Sequence, residues 1–284
     1  MSMKRPLAIT GGQASRMKIP LKRGIKHSAG GGGGPAPGFS PSVYFAPGDW
    51  GFWIDPAKKS TKFASSNHTG PAIGGTSGDL IGSLVDDRDG THLAGAATDS
   101  YGKLTYMAAG DGYPTPTLVL PNTANNYNFL NYVATGAGGA WGTTRTVIIT
   151  LHTPSAPTNI YRYALVDGGT TLFVGNYSPA TSGWVGLSRS GPPLANAFSA
   201  GATTTIGMRL TAAEQVYFYK NGVLVGQDSQ AQPAPLRSNG DYFGFSGLGA
   251  VGARIVRLLI CKNDLGDAEM IATGNLYKWS RGEI

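Results

Sequence analysis

The chain has 284 residues with 43 Gly and 18 Pro, only 14% charged side chains and a formal net charge of +7. Just three Glu occur (Glu214, Glu269, Glu283), which argues against a mainly helical protein, while 13 Tyr, 10 Phe and 5 Trp supply more buriable apolar area than a disordered chain carries. The charge is partitioned. Residues 1–34 hold Lys4, Arg5, Arg16, Lys18, Lys22, Arg23 and Lys26 and no acid, so the remainder balances 16 basic against 16 acidic residues. An electrostatic partner therefore meets the arm first.

The N-terminal segment, MSMKRPLAITGGQASRMKIPLKRGIKH, has scattered Ile, Leu and Met without a sustained period. It reads as an extended anchoring arm (1–34) that orders on a partner. It lacks the apolar stretch of about 7 residues that a secretory signal requires. Gly-Gly and Pro breaks work against the amphipathic helix of an organelle transit peptide. Residues 28–41, SAGGGGGPAPGFSP, form a Gly/Pro-rich linker, since consecutive glycines resist a fixed conformation.

From residue 42 to 284 the pattern becomes short apolar runs separated by turn residues, which predicts strands. They fall at 43–46, 51–54, 117–121, 126–134, 145–153, 160–167 and 171–177. Others follow at 184–189, 203–210, 215–227, 241–247 and 253–262. Such spacing fits an all-β, two-sheet antiparallel sandwich rather than βαβ units. Within VYFYKNGVLVGQ, Asn221-Gly222 predicts a type I′ hairpin turn, with Val216 and Phe218 on one face and Tyr217 and Tyr219 on the other. One helical segment is expected near the end, AEMIATGNLYKW, capped by Asp264 or Asp267. No run approaches the ~18 apolar residues of a membrane helix. Cys261, in RIVRLLIC, is expected to be a buried, inert thiol.

VYFYKNGVLVG followed by RIVRLLICKNDLGDAEM resembles the closing half of concanavalin-like, laminin-G-type jelly rolls: a hairpin at Tyr219–Gly226, a long strand at Ile255–Ile260 and a turn into a short helix at Leu265–Met270. FAPGDWGFWIDPAKKSTKF and IGSLVDDRDGTHLAGAATDSYGKLTY resemble a segment of tailed-bacteriophage and prophage virion proteins. The match rests on Trp53, Asp55, Pro56, Phe63, Leu84 to Asp86 and Gly90 to Thr98. Together the resemblances cover about 42–112 and 215–279. They imply a non-enzymatic virion protein, a tail fibre, collar, or head appendage or decoration protein. Its arm would grip portal, collar, tail or capsid proteins, and its sandwich would be displayed, as a homo-oligomer, for contact with host surface glycan.

Candidate chemistry beyond anchoring is sparse. Glycosidases need two carboxylates about 5–9.5 Å apart, and no strand offers an acidic pair at short spacing. The free-standing carbohydrate-binding module is the alternative reading, ahead of a polysaccharide-degrading enzyme. Trp141 lies in the Gly-rich stretch TGAGGAWGTT and is the candidate glycan contact, whereas Trp53 in GFWID reads as core. Asp86, Asp87 and Asp89 in DDRDG could give calcium three hard oxygen ligands, though without EF-hand spacing. His27, His68, His92 and His152 are isolated, and no G-x-S-x-G elbow is present.

Overall fold

A computed structural model describes residues 38–47, 49, 51–88, 93–96, 103–120, 144–154, 162–167, 173–176, 184–186, 199–213, 215–228, 243–244 and 253–284. The chain divides into two units, Met1–Pro37 and Gly38–Ile284, and everything described lies in the second.

In chain order the strands are β1 (Gly51–Ile54), β2 (Lys62–Phe63), β3 (Leu80–Ile81), β4 (Ser83–Val85), β5 (Leu93–Ala96), β6 (Leu104–Met107), β7 (Thr117–Val119) and β8 (Arg145–Thr153). They continue as β9 (Arg162–Asp167), β10 (Phe173–Asn176), β11 (Trp184–Gly186), β12 (Ala202–Leu210), β13 (Val216–Lys220), β14 (Val223–Asp228), β15 (Phe243–Gly244) and β16 (Arg254–Cys261). Two short helices, α1 (Asp267–Met270) and α2 (Asn275–Ser280), follow. The fold is the expected all-β antiparallel sandwich. Its principal sheet runs β14-β13-β12-β8-β16-β7-β6-β3, with β1 also on β16; β11-β10-β9-β15 and β2-β4-β5 form smaller sheets.

Strand β16 organises the principal sheet. One edge pairs with β8 along most of its length. The other edge is shared: Arg254 and Ile255 pair with β7, and Leu258 to Cys261 pair with β1. Between Ile255 and Arg257 the register against β8 shifts, leaving Val256 as an extra residue. The bulge changes the parity of the strand. Ile255 therefore shares a face with Leu258 and Ile260, not with Leu259 and Cys261.

Alternation sends two sets of side chains to opposite faces of this sheet. The front set includes Phe52, Ile54, Val147, Ile149, Leu151, Ile206, Met208 and Leu210, joined by Leu84 of β4 and by Tyr106 and Leu118. Each such side chain, fully buried, stabilises by roughly 1.5–3 kcal/mol. The back set is Trp53, Ile148, Tyr219, Leu259 and Cys261, covered by Met270, Leu276 and Trp279 from the C-terminal helices and by Phe39, Tyr44 and Phe45 from the N-terminal side. Thr146 and Thr150 seat this cover. Thr146 Oγ1 donates to the Asn263 carbonyl at 2.7 Å and accepts from Leu265 N–H at 3.1 Å, and Thr150 Oγ1 donates to Ser280 Oγ at 3.1 Å. Gly207 leaves room above β12, because a Cβ there would come within 3.0 Å of Met270 Sδ.

Two local expectations are corrected. Residues 41–44 form a 3₁₀ turn rather than the start of a strand over 43–46: Ser40 accepts from Ser42 N–H and Pro41 opens the turn, a strong start signal. The single expected helix is broken into α1 and α2, since Gly274 turns where a Cβ would collide with the Ala268 carbonyl. Neither Asp264 nor Asp267 caps it; residue 266 stands at the N-cap, and both carboxylates face Arg209. Glu269 accepts from Leu276 N–H at 3.0 Å and so satisfies an amide at the start of α2. The hairpin forms as expected, with Asn221 and Gly222 at φ +50° and +77°. The expected strand over 126–134 lies outside the described residues.

Candidate functional site

The turn that follows β4 gathers the first cluster. Asp86 and Asp87 are fully buried there. Asp86 Oδ1 accepts from the N–H groups of Trp53 and Arg88, at 3.3 and 2.9 Å, and its Oδ2 lies 3.1 Å from Arg88 Nε. Arg88 in turn lies over the Phe45 ring and donates to the Asp49 carbonyl at 2.8 Å. Asp87 faces Lys62 of β2, whose Nζ lies 2.9 Å from each carboxylate oxygen. Both side chains have zero exposure. The Asp87 carboxylate also accepts from Asp55 N–H and the Thr61 hydroxyl, while Lys62 Nζ donates to the carbonyls of Asp55 (2.6 Å) and Lys58 (2.8 Å).

Loss of solvation dominates both partners. Burial pulls the Lys62 ammonium below its ordinary range, against the attraction of Asp87. Burial likewise pushes the Asp87 carboxyl up, against the attraction of Lys62. The two effects favour the uncharged forms of a pair that water cannot reach. The expected calcium loop is thus differently employed: Asp86 and Asp87 point inward to protein cations and amides, and Asp89 lies outside the described residues. Among the described residues no group of three or more His, Cys, Asp or Glu side chains is arranged to hold a metal.

A second cluster sits on the back face at Arg209. Its guanidinium grips Asp264 through Nε and Nη2, donates to Asp267 and to Tyr219 Oη (3.1 Å), and lies over the Tyr217 ring. Burial opposes the Arg209 charge but is outweighed by Asp264 and Tyr219, so its pKa rises. Burial, reinforced by the hydrogen bond to Asp267, pushes the Tyr219 phenol up to about 12. Every carboxylate side chain that the structure describes has a partner within the chain. Asp49 pairs with Lys262, Asp55 with Arg257 at 3.0 Å, and Glu283 with Arg281 at 2.8 Å. Asp79 accepts from Gly75 and Thr76 N–H groups, and Asp111 accepts from the Ser77 hydroxyl.

The third cluster is a partly exposed corner of the principal sheet. The register of β8 on β16 sets His152 opposite Arg254. The Tyr113 ring stands 5.0 Å from the imidazole, and Nδ1 of His152 is 3.1 Å from Thr203 Oγ1. Arg254 donates to the Asp111 carbonyl. Burial and the neighbouring Arg254 lower the His152 pKa, so the ring is neutral near pH 7. An aromatic ring beside a neutral imidazole, a hydroxyl and a guanidinium can stack on and hydrogen-bond a sugar. The sequence shows no sign of this corner, since its members lie far apart and meet only through strand register. Of the expected site residues, Lys4, Arg5, Arg16, Lys18, Lys22, Arg23, Lys26 and Trp141 all lie outside the described residues. Trp53 is core, as expected, at 8% exposure.

No family model matches the chain, and no curated protein matches it. Among solved structures, the receptor-binding domain of botulinum neurotoxin type G is similar at 12% identity and TM-score 0.41, with 72% of this chain and 51% of that one covered. The binding domain of Paraclostridial Mosquitocidal Protein 1 is similar at 11% identity and TM-score 0.46, with the same coverages. The Ruminococcus gnavus IT-sialidase CBM40 bound to alpha2,3 sialyllactose is similar at 16% identity and TM-score 0.35, covering 56% of this chain and 96% of that one. The chain spans about half the length of the two toxin domains. At such identities and scores nothing about ligand or activity carries over to this chain.

Proposed function

We propose that the chain is a non-enzymatic virion structural protein whose basic arm, residues 1–34, attaches it to portal, collar, tail or capsid proteins and whose sandwich, residues 42–284, is displayed. The observation that carries this reading is the division of charge. All of the excess positive charge precedes residue 35, while the described carboxylates of the body are each engaged inside the chain. Such a body has no free acid–base pair to set to work among its described residues, and the arm is left as the electrostatic contact. Co-sedimentation tests it: full-length protein and a version lacking residues 1–34 are mixed with particles made without the protein. The full chain is expected to travel with particles and the truncated one to stay behind as a folded sandwich. Co-sedimentation of the truncated protein would refute anchoring by the arm.

A second reading, host-glycan binding by the displayed sandwich or by a free-standing module, is favoured by the Tyr113–His152–Arg254 corner. A glycan panel with Tyr113→Ala and Trp141→Ala variants separates the two aromatic candidates. Loss of binding with either substitution assigns the contact, and no binding by the parent protein at millimolar glycan removes the reading. Display as a homo-oligomer belongs to the first reading. It is supported by the edge strand β14, where Val223, Leu224 and Val225 stay exposed, and is checked by analytical ultracentrifugation.

A further inference from the structure

We infer that Lys62 and Asp87 are a site of self-modification, joining through an intramolecular isopeptide bond between Lys62 Nζ and Asp87 Cγ. The geometry carries the inference. The pair sits where antiparallel strands β2 and β4 end side by side, with Lys62 opposite Leu84 in the ladder. Nζ lies 2.9 Å from both oxygens of the carboxyl group, and so beside the Cγ that they share. Neither side chain has any exposed surface. A permanently held nucleophile and electrophile react as if at very high local concentration. Exclusion of water also removes the solvent that would otherwise drive hydrolysis of the product.

The neighbours suit the step. Within the pair a proton passes from the ammonium to the carboxylate, giving an amine and a carboxylic acid. The Nζ lone pair then attacks Cγ and forms the C–N bond. Each oxygen of the Asp87 carboxyl group already has a donor, the Thr61 hydroxyl on Oδ1 and Asp55 N–H on Oδ2, so the oxygen that gains charge is stabilised by one of them. The second C–O bond breaks, the hydroxyl leaves with a proton from Nζ, and one water molecule is released. The remaining N–H keeps the Asp55 carbonyl as its acceptor, 2.6 Å from Nζ. Nothing is oxidised or reduced, and no co-reactant enters.

Mass spectrometry of the denatured full-length chain tests the bond. The expected result is a mass lower than the sequence by one water molecule, with a branched peptide linking residue 62 to residue 87 after proteolysis. Lys62→Met, which keeps the length of the side chain and removes the amine, is expected to restore the sequence mass. The inference is overturned if the parent chain has its full sequence mass and yields only linear peptides. It is equally overturned if the water loss persists in Lys62→Met or maps to Asp89-Gly90 or Asp111-Gly112, where cyclisation onto the backbone also releases water. None of these outcomes depends on particle attachment or glycan binding.

Discussion

Arg209 and Asp264, 55 residues apart, meet as a two-point clasp, Nε to Oδ1 at 2.6 Å and Nη2 to Oδ2 at 3.0 Å. The clasp fastens the segment after β16 onto β12, and with it the helices that cover the back face of the sheet. A planar guanidinium matched to a carboxylate resists substitution, because removing one partner strands the other. Arg209→Leu is expected to lower unfolding free energy by about 3 kcal/mol. Arg209→Lys keeps the charge but loses the fork, and is expected to recover only part of that. Urea denaturation of the two variants against the parent checks the order.

The hairpin tip gives a second expectation. Gly222 adopts φ +77°, and a Cβ there would lie 2.5 Å from Ala272 N. Gly222→Ala adds left-handed strain to that collision and is expected to cost about 2 kcal/mol. Asn221→Gly keeps the turn but removes the acceptor for Thr205 N–H, at 2.9 Å, and is expected to cost about 1 kcal/mol. Chemical denaturation that ranks the substitutions in the opposite order would contradict this account of the turn.

Trp53 and Trp279 meet edge-on at 5.8 Å, and Arg257 lies over the Trp279 ring. Trp279→Ala opens a cavity beneath α2 and is expected to cost about 3–5 kcal/mol. Near-ultraviolet circular dichroism should lose the signal of the paired rings, while the sheet signal in the far ultraviolet is retained.

Alkaline pH should destabilise the fold. Burial pushes the Cys261 thiol from 9.0 up to about 12 and, with Asp267, the Tyr219 phenol from 10.0 up to about 12. Burial, followed by Glu269, raises the Tyr44 phenol as well. Raised folded-state values mean that the unfolded chain gives up these protons first. Their contribution is complete below the unfolded pKa values and is lost as pH rises from 9 towards 12. Thermal melts across that range should fall, and Cys261→Ala should flatten the first part of the decline. At pH 8 native Cys261 should react with a thiol reagent only as fast as the chain unfolds.

The long strands were legible because their period is long enough to see. Residues 145–153 and 203–210 alternate over many positions, and Asn-Gly marks a hairpin by its backbone preference alone. Strands β2 to β6 span only two to four residues each, too few for a period, so the segment between residues 62 and 107 showed a family likeness but not its ladder. The Val256 bulge was equally hidden, since RIVRLLIC is apolar on both faces and its change of parity leaves no pattern. The acidic turn was visible as a cluster but not as an ion pair. Lys62 lies 25 residues away, and burial, which decides whether a carboxylate faces water or a lysine, is not written locally.

The shared edge of β16 bears on how the molecule is built. Its neighbours come from residues 51–54, 118–119 and 146–152, yet it is itself drawn from residues 254–261. During synthesis those earlier strands must wait, with open edges, until the ribosome has delivered more than a hundred further residues. Such long-range closure makes for slow assembly. A chain interrupted before residue 254 would lack the piece that holds β1, β7 and β8 together. Quality control in the producing cell would then meet an unfinished sheet rather than a smaller working module.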